Sequence, residues 1–152
     1  MSAPPKASTS FSATSGQLAT FRLDGDLYGV EVEHVQEVLK SQGLTRVPLA
    51  PPAVAGLINL RGQVVTAIEL RERLGRPPRP EGTDAVVIVV RLHGEAVSLL
   101  VDSIADVVDV DAADFEAPPD TLEGQARELI RGAYKLDGQL LLALDVHKAV
   151  SA

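Results

Sequence analysis

Two stretches of this chain occur twice in the same order, which limits it to folds made of two similar halves. Residues 56–70 align with 132–146 at an offset of 76, with identities at Gly56/Gly132, Leu60/Leu136, Gly62/Gly138, Gln63/Gln139 and Ala67/Ala143. Residues 21–38 align with 90–107 at an offset of 69, where Arg22/Arg91, Leu23/Leu92, Gly25/Gly94, Val32/Val101 and Val38/Val107 are identical. Short apolar strands resemble one another by chance, but two matches in the same order do not arise easily. Each repeated unit has the period-two alternation of a strand, broken by a glycine turn. Val64, Thr66, Ile68 and Leu70 alternate with Val65, Ala67 and Glu69 after Arg61-Gly62. Gly62 supplies the positive φ of a tight hairpin, and Arg61 beside it offers a rigid five-donor fork to a partner's carboxylate or carbonyls.

At 152 residues, either half alone is too small to be comfortably stable, whereas the whole buries roughly 68–70% of its unfolded surface. Two subdomains sharing one central core are therefore expected. Residues 1–16, rich in Ser, Ala, Thr and Pro, read as a disordered tail, and the fold is expected over 17–150. The proline-rich stretch from Arg76 to Gly82 divides it into approximate subdomains 17–78 and 84–150, with strand exchange between them left open. Hairpins are expected at Asp24-Gly25, Arg61-Gly62, His93-Gly94 and Asp137-Gly138. Val35, Val38 and Leu39 fall at helical spacing, so residues 33–40 read as a short helix or irregular turn. Leu70 to Gly75 suits one or two helical turns, residues 117–127 read as a polar loop, and Asp145 is placed to cap a last helix ending near Val150. Many short strands between glycine turns give an all-β chain of small barrels or a sandwich.

A net charge of −7 disfavours nucleic acid as a partner, and the chain has no cysteine for disulfides, thiolate metal sites or thiol catalysis. No apolar run approaches the ~18 residues of a membrane span and the amino terminus lacks a secretion pattern, so no membrane insertion and a cytosolic location are expected. Asp109, Asp111 and Asp114 miss the ligand pattern of a calcium loop. His34, His93 and His147 lie on separate elements with no i,i+4 pair and no serine in a nucleophile setting, so neither a metal site nor a catalytic triad is read here. No phosphate-binding or dinucleotide motif is present, and no cofactor is expected. The enzyme alternative is a carboxylate hydrolase using Glu37 and Asp106.

In order along the chain stand Tyr28-Gly29-Val30-Glu31-Val32, Val35-Gln36-Glu37-Val38, Val47-Pro48, Gly56-Leu57-Ile58-Asn59-Leu60-Arg61-Gly62, Glu69-Leu70-Arg71, Val101-Asp102-Ser103-Ile104 and Leu136-Asp137-Gly138. As a set over about residues 17–150 these resemble the CheW family of chemotaxis coupling proteins. Thr66 stands where that family often has proline, and Glu69 where aspartate is commoner. The resemblance implies two SH3-like β-barrels around a shared hydrophobic core. It also implies an adaptor without chemistry, binding the cytoplasmic tips of chemoreceptors and the regulatory domain of the histidine kinase CheA. Carried onto this sequence, Arg61 and Glu37 are the polar coupling positions, with Asn59 in the same motif. Val35, Gly56, Leu57 and Val64 border the receptor groove, and Val86, Val87 and Leu99 are placed at its far wall. A CheW-like module of another chemosensory or motility pathway, competing with the main adaptor, is the nearest alternative.

Overall fold

The computed structural model describes residues 16–40 and 43–151. The tail expected over residues 1–16 lies outside them except for Gly16, which opens the first strand. Among the described residues, twelve strands make two six-stranded sheets, and the sequence repeat is reproduced strand for strand. The N-terminal hairpin is β1 (Gly16–Leu23) and β2 (Asp26–Glu31), and its counterpart is β7 (Val86–Leu92) and β8 (Glu95–Val101). The Arg61 hairpin is β5 (Val54–Leu60) and β6 (Gln63–Glu69), and its counterpart is β11 (Ile130–Leu136) and β12 (Gln139–Leu144). Each sheet is completed by β3 (Val35–Lys40) or β9 (Ser103–Val110) at one edge and by a two-residue strand, β4 (Leu44–Thr45) or β10 (Phe115–Glu116), at the other. Repeated side chains make repeated contacts: Arg22 Nη1 donates to the Gly25 carbonyl and Arg91 Nη1 to that of Gly94, each three residues on.

The first sheet runs β3-β7-β8-β6-β5-β4 and the second β10-β11-β12-β2-β1-β9. The hairpins are thus exchanged. β1 and β2 join the C-terminal strands through the parallel pair β12–β2, and β7 and β8 join the N-terminal strands through the parallel pair β6–β8. The sheets do not follow the linear division 17–78 and 84–150, because parallel pairing needs no adjoining turn and leaves no mark at the proline-rich boundary.

Alternation along these strands sends side chains into three cores. Ile58, Leu60, Val65, Val87, Val89 and Leu100 fill one sheet's concave side, and Leu18, Leu27, Val110, Tyr134 and Leu141 fill the other's. Between the sheets lies the largest cluster, with Phe21, Tyr28, Ile68, Ile88, Leu99 and Leu142 drawn from both. This is the all-β arrangement of two SH3-like subdomains around a shared core.

Two local expectations are corrected. Residues 35–40 form strand β3, preceded by one 3-10 turn at Val32–His34. The helical spacing misled because Val38 faces outward while Glu37 takes an inward position opposite Val89. The loop expected to reach Arg127 gives way to helix α2 over Gly124–Leu129, seated by Ala126 and Leu129 on the shared core. Asn59, exposed on β5, also braces the hairpin, its Oδ1 accepting from the Gly62 N–H at 2.9 Å. The remaining short helices, now α1 (Leu70–Arg73) and α3 (Val146–Val150), follow β6 and β12 as expected. Their caps are equivalent too: Glu69 accepts from Arg71 N–H and Asp145 from Lys148 N–H.

Candidate functional site

The loop between β5 and β6 is the two-residue turn Arg61-Gly62, with φ of 52° and 85°. Both positive angles suit a type I′ turn, whose twist matches the strands it joins. Arg61, a non-glycine in the left-handed region, stands at the tip. From there its guanidinium reaches back to β3: Nη1 donates to Glu37 Oε2 at 2.6 Å and Nη2 to Glu37 Oε1 at 2.7 Å. The pair joins edge strand β3 to the tip of the β5–β6 hairpin near the sheet's other edge, so it bridges across the curled sheet. The Arg61 side chain stays 72% exposed and Glu37 only 18%, which leaves the outer guanidinium face free for a partner. The bidentate hydrogen bonds from Arg61 hold the Glu37 carboxyl below its usual range.

Apolar surface flanks this pair. Val64, opposite Asn59 on the outer face of the hairpin, is 61% exposed, and Val38, next to Glu37, is 44% exposed. Leu57 is half-buried on the same outer face as Asn59 and Val64. The structure thus groups Leu57, Asn59, Val64 and Arg61 on one hairpin and adds Glu37 from β3. Val38 was missing from the sequence-derived set; an apolar residue on the polar face of a strand is its signal.

The other positions are buried or half-buried. A β-carbon on Gly56 would meet the Thr45 carbonyl oxygen at 2.4 Å, and one on its counterpart Gly132 would meet the Phe115 ring at 2.3 Å. Both glycines let a short edge strand lie close against them. Val35 packs on the shared core. Val86 does so as well, while Leu99 is wholly buried within it. Val87 is buried in the first subdomain's core, in the wall of a cleft of about 330 Å³ that Leu44, Arg46, Ile58 and Arg79 also line. Glu37 and Asp106, the pair of the hydrolase alternative, sit on edge strands of different sheets.

A second polar cluster lies at the seam between the subdomains. Arg71 on α1, with 8% of its side chain exposed, donates to Asp102 through Nε at 2.9 Å and Nη2 at 2.6 Å. Asp102 also accepts from the Asp24 N–H at 2.8 Å and from Arg79 Nε at 3.2 Å, and Arg79 is bidentate to Glu69. Arg76 adds ion pairs to Asp24 and Asp26. Burial pushes the Asp102 carboxyl up, but hydrogen bonds from Arg71 and Asp24, with the Arg71 and Arg79 charges, leave it below its ordinary value. A carboxyl depressed in the folded state stabilises fully above its unfolded pKa of about 4, and that stabilisation is lost as pH falls through the folded value. The unfolding temperature is therefore expected to drop as pH is lowered below about 4, and Asp102→Asn to flatten the drop. An unchanged acid dependence in that variant would assign the effect to other carboxylates.

Comparison with known proteins gives the same fold and function class. The model of the CheW-like domain matches residues 17–152. Chemotaxis protein CheW of Treponema pallidum is 31% identical over 140 residues, covering 90% of this chain and 82% of that one. Chemotaxis protein CheW of Bacillus subtilis is 30% identical over 134 residues, 88% and 86% of the two chains. The crystal structure of scaffolding protein TtCheW from Thermoanaerobacter tengcongensis superposes with a TM-score of 0.80 at 28% identity, over 91% of this chain and 94% of that one. The chain belongs to the CheW-like family.

Proposed function

We propose that this chain is a non-enzymatic adaptor that couples chemoreceptors to the histidine kinase CheA. It binds the cytoplasmic receptor tip with one surface and the kinase's regulatory domain with another. The observation that carries this reading is the Arg61–Glu37 pair, held at a hairpin tip between exposed Val38 and Val64. A receptor tip is a helical hairpin, and a helix docks on aliphatic surface with a few polar groups to orient it. Arginine that keeps one face open beside such surface is a favoured interface anchor.

The repeat supplies a second surface of the same design and different charge. Val107 and Leu140, the counterparts of Val38 and Val64, are 55% and 40% exposed. Asp137 stands where Arg61 does, and Lys135, counterpart of Asn59, pairs with Glu116 at 3.1 Å. Equivalent positions with unlike charge suit two different partners, as an adaptor requires. No helix among the described residues is long and apolar enough to cross a membrane. In this reading the chain is recruited to a receptor array through its contacts with receptor and kinase.

Reconstituted receptor, kinase and this chain provide the test. Kinase output should depend on adding the chain, and Arg61→Ala should weaken receptor binding on the order of tenfold while leaving the unfolding transition nearly unchanged. Normal coupling by Arg61→Ala, or its unfolding, would remove Arg61 from the interface.

A further inference from the structure

The fold gathers residues that the sequence leaves far apart: His34, His93 and His147, the only histidines of the chain. His147 on α3 lies between the other two, with ring centroids 5.7 Å from His34 and 5.1 Å from His93. His34 ends the 3-10 turn after β2, and His93 occupies the β7–β8 turn with φ of 51°, a left-handed position that histidine accepts more readily than most side chains. The cluster bridges the subdomains, since α3 follows a strand of the second sheet and the β7–β8 hairpin belongs to the first.

The repeat shows what this location does in the other half. At the offsets already established, His93 corresponds to Asp24, His147 to Arg71, Glu33 to Asp102 and His34 to Ser103. In one half the hairpin turn, the short helix and the strand end are tied by Arg71 between Asp24 and Asp102. In the other half imidazoles take the places of the turn aspartate and the helix arginine. Neutral imidazoles do not form ion pairs with one another, but they bind transition-metal ions well.

From this we infer that His34, His93 and His147 form a binding site for a divalent transition-metal ion, of which zinc and nickel are the natural probes. Two features favour it. Two imidazoles bound to one ion at about 2.0–2.1 Å and at a near-tetrahedral angle have centroids about 5.2 Å apart, which both spacings at His147 approach, so His34 and His93 have to draw in around it. His34 Nε2 lies 3.0 Å from Glu31 Oε1, which places its proton on that nitrogen and frees Nδ1 as a ligand, the carboxylate–histidine arrangement common behind bound metals. As the side chains stand, no group of three ligands among the described residues converges on one point. The site closes on the ion, with His147 exposed and able to rotate. A bound ion would tie the second seam as Arg71 ties the first.

The test is calorimetric titration of the tag-free chain with zinc chloride and with nickel chloride near neutral pH, alongside thermal unfolding. One ion per chain should bind saturably and raise the unfolding temperature, while magnesium, which prefers oxygen ligands, should do neither. His147→Gln and His93→Asn, the latter chosen because asparagine accepts the left-handed turn, should each weaken binding about tenfold or more. Their amide NMR spectra without metal should match the parent outside the cluster, which separates lost ligands from lost structure. Absence of saturable binding, or equal affinity in both variants, overturns the site.

Discussion

Leu60→Ala is expected to lower the stability of the fold by about 2–5 kcal/mol. Leu60 is 9% exposed and packs with Ile58, Val65 and Val87 in the first subdomain's core, directly before the turn that presents Arg61. Truncation leaves a cavity that a curled sheet with exchanged hairpins has little freedom to close. Denaturant unfolding measures the loss, and coupling should fail only in proportion to the unfolded fraction. Arg61→Ala, one residue away, should show the reverse: an unfolding curve close to the parent's and a specific loss of receptor binding. If the two variants lose stability and binding in parallel, the hairpin tip has no role separable from folding.

The second large effect is expected at the seam. Asp102→Ala should destabilise by about 3 kcal/mol, because it leaves the buried Arg71 guanidinium without the carboxylate that accepts two of its hydrogen bonds. The cost lies in a buried guanidinium left with Asp24 at 4.0 Å and the Pro77 and Pro78 carbonyls as its remaining partners. Arg71→Met combined with Asp102→Ala should therefore be more stable than Asp102→Ala alone, a non-additivity that a double-mutant cycle reads directly. A double variant no more stable than the aspartate change by itself would show that Asp102 acts through the Asp24 backbone or Arg79 instead.

The chain shows its hairpins openly, because alternation and glycine turns at Gly25, Gly62, Gly94 and Gly138 are local signals. The duplicated contacts of Arg22 and Arg91 follow from the same repeat. Strand β3 was obscured because its outward residue, Val38, is apolar and its inward residue, Glu37, is charged, the inverse of the usual pattern. Both belong to the candidate site, where surface chemistry overrides core patterning. Hairpin exchange is set by parallel pairs that lie far apart in sequence, and the meeting of the three histidines follows from that exchange. Val87, in the wall of a cleft, and Leu99, wholly buried, look alike in sequence, since a β-branched or aliphatic run reads the same whether it lines a cleft or fills a core.

The adaptor role is tested most directly by NMR shift mapping of this chain with a receptor-tip fragment and with the kinase's regulatory domain, added singly and together. Each contact can be weak alone, since repetition in an array supplies avidity. Two separate footprints are expected, one around Glu37, Arg61 and Val64 and one elsewhere on the two-barrel surface, with a ternary complex when both partners are present. Competition of the two partners for a single surface would contradict the coupling mechanism while leaving the fold untouched.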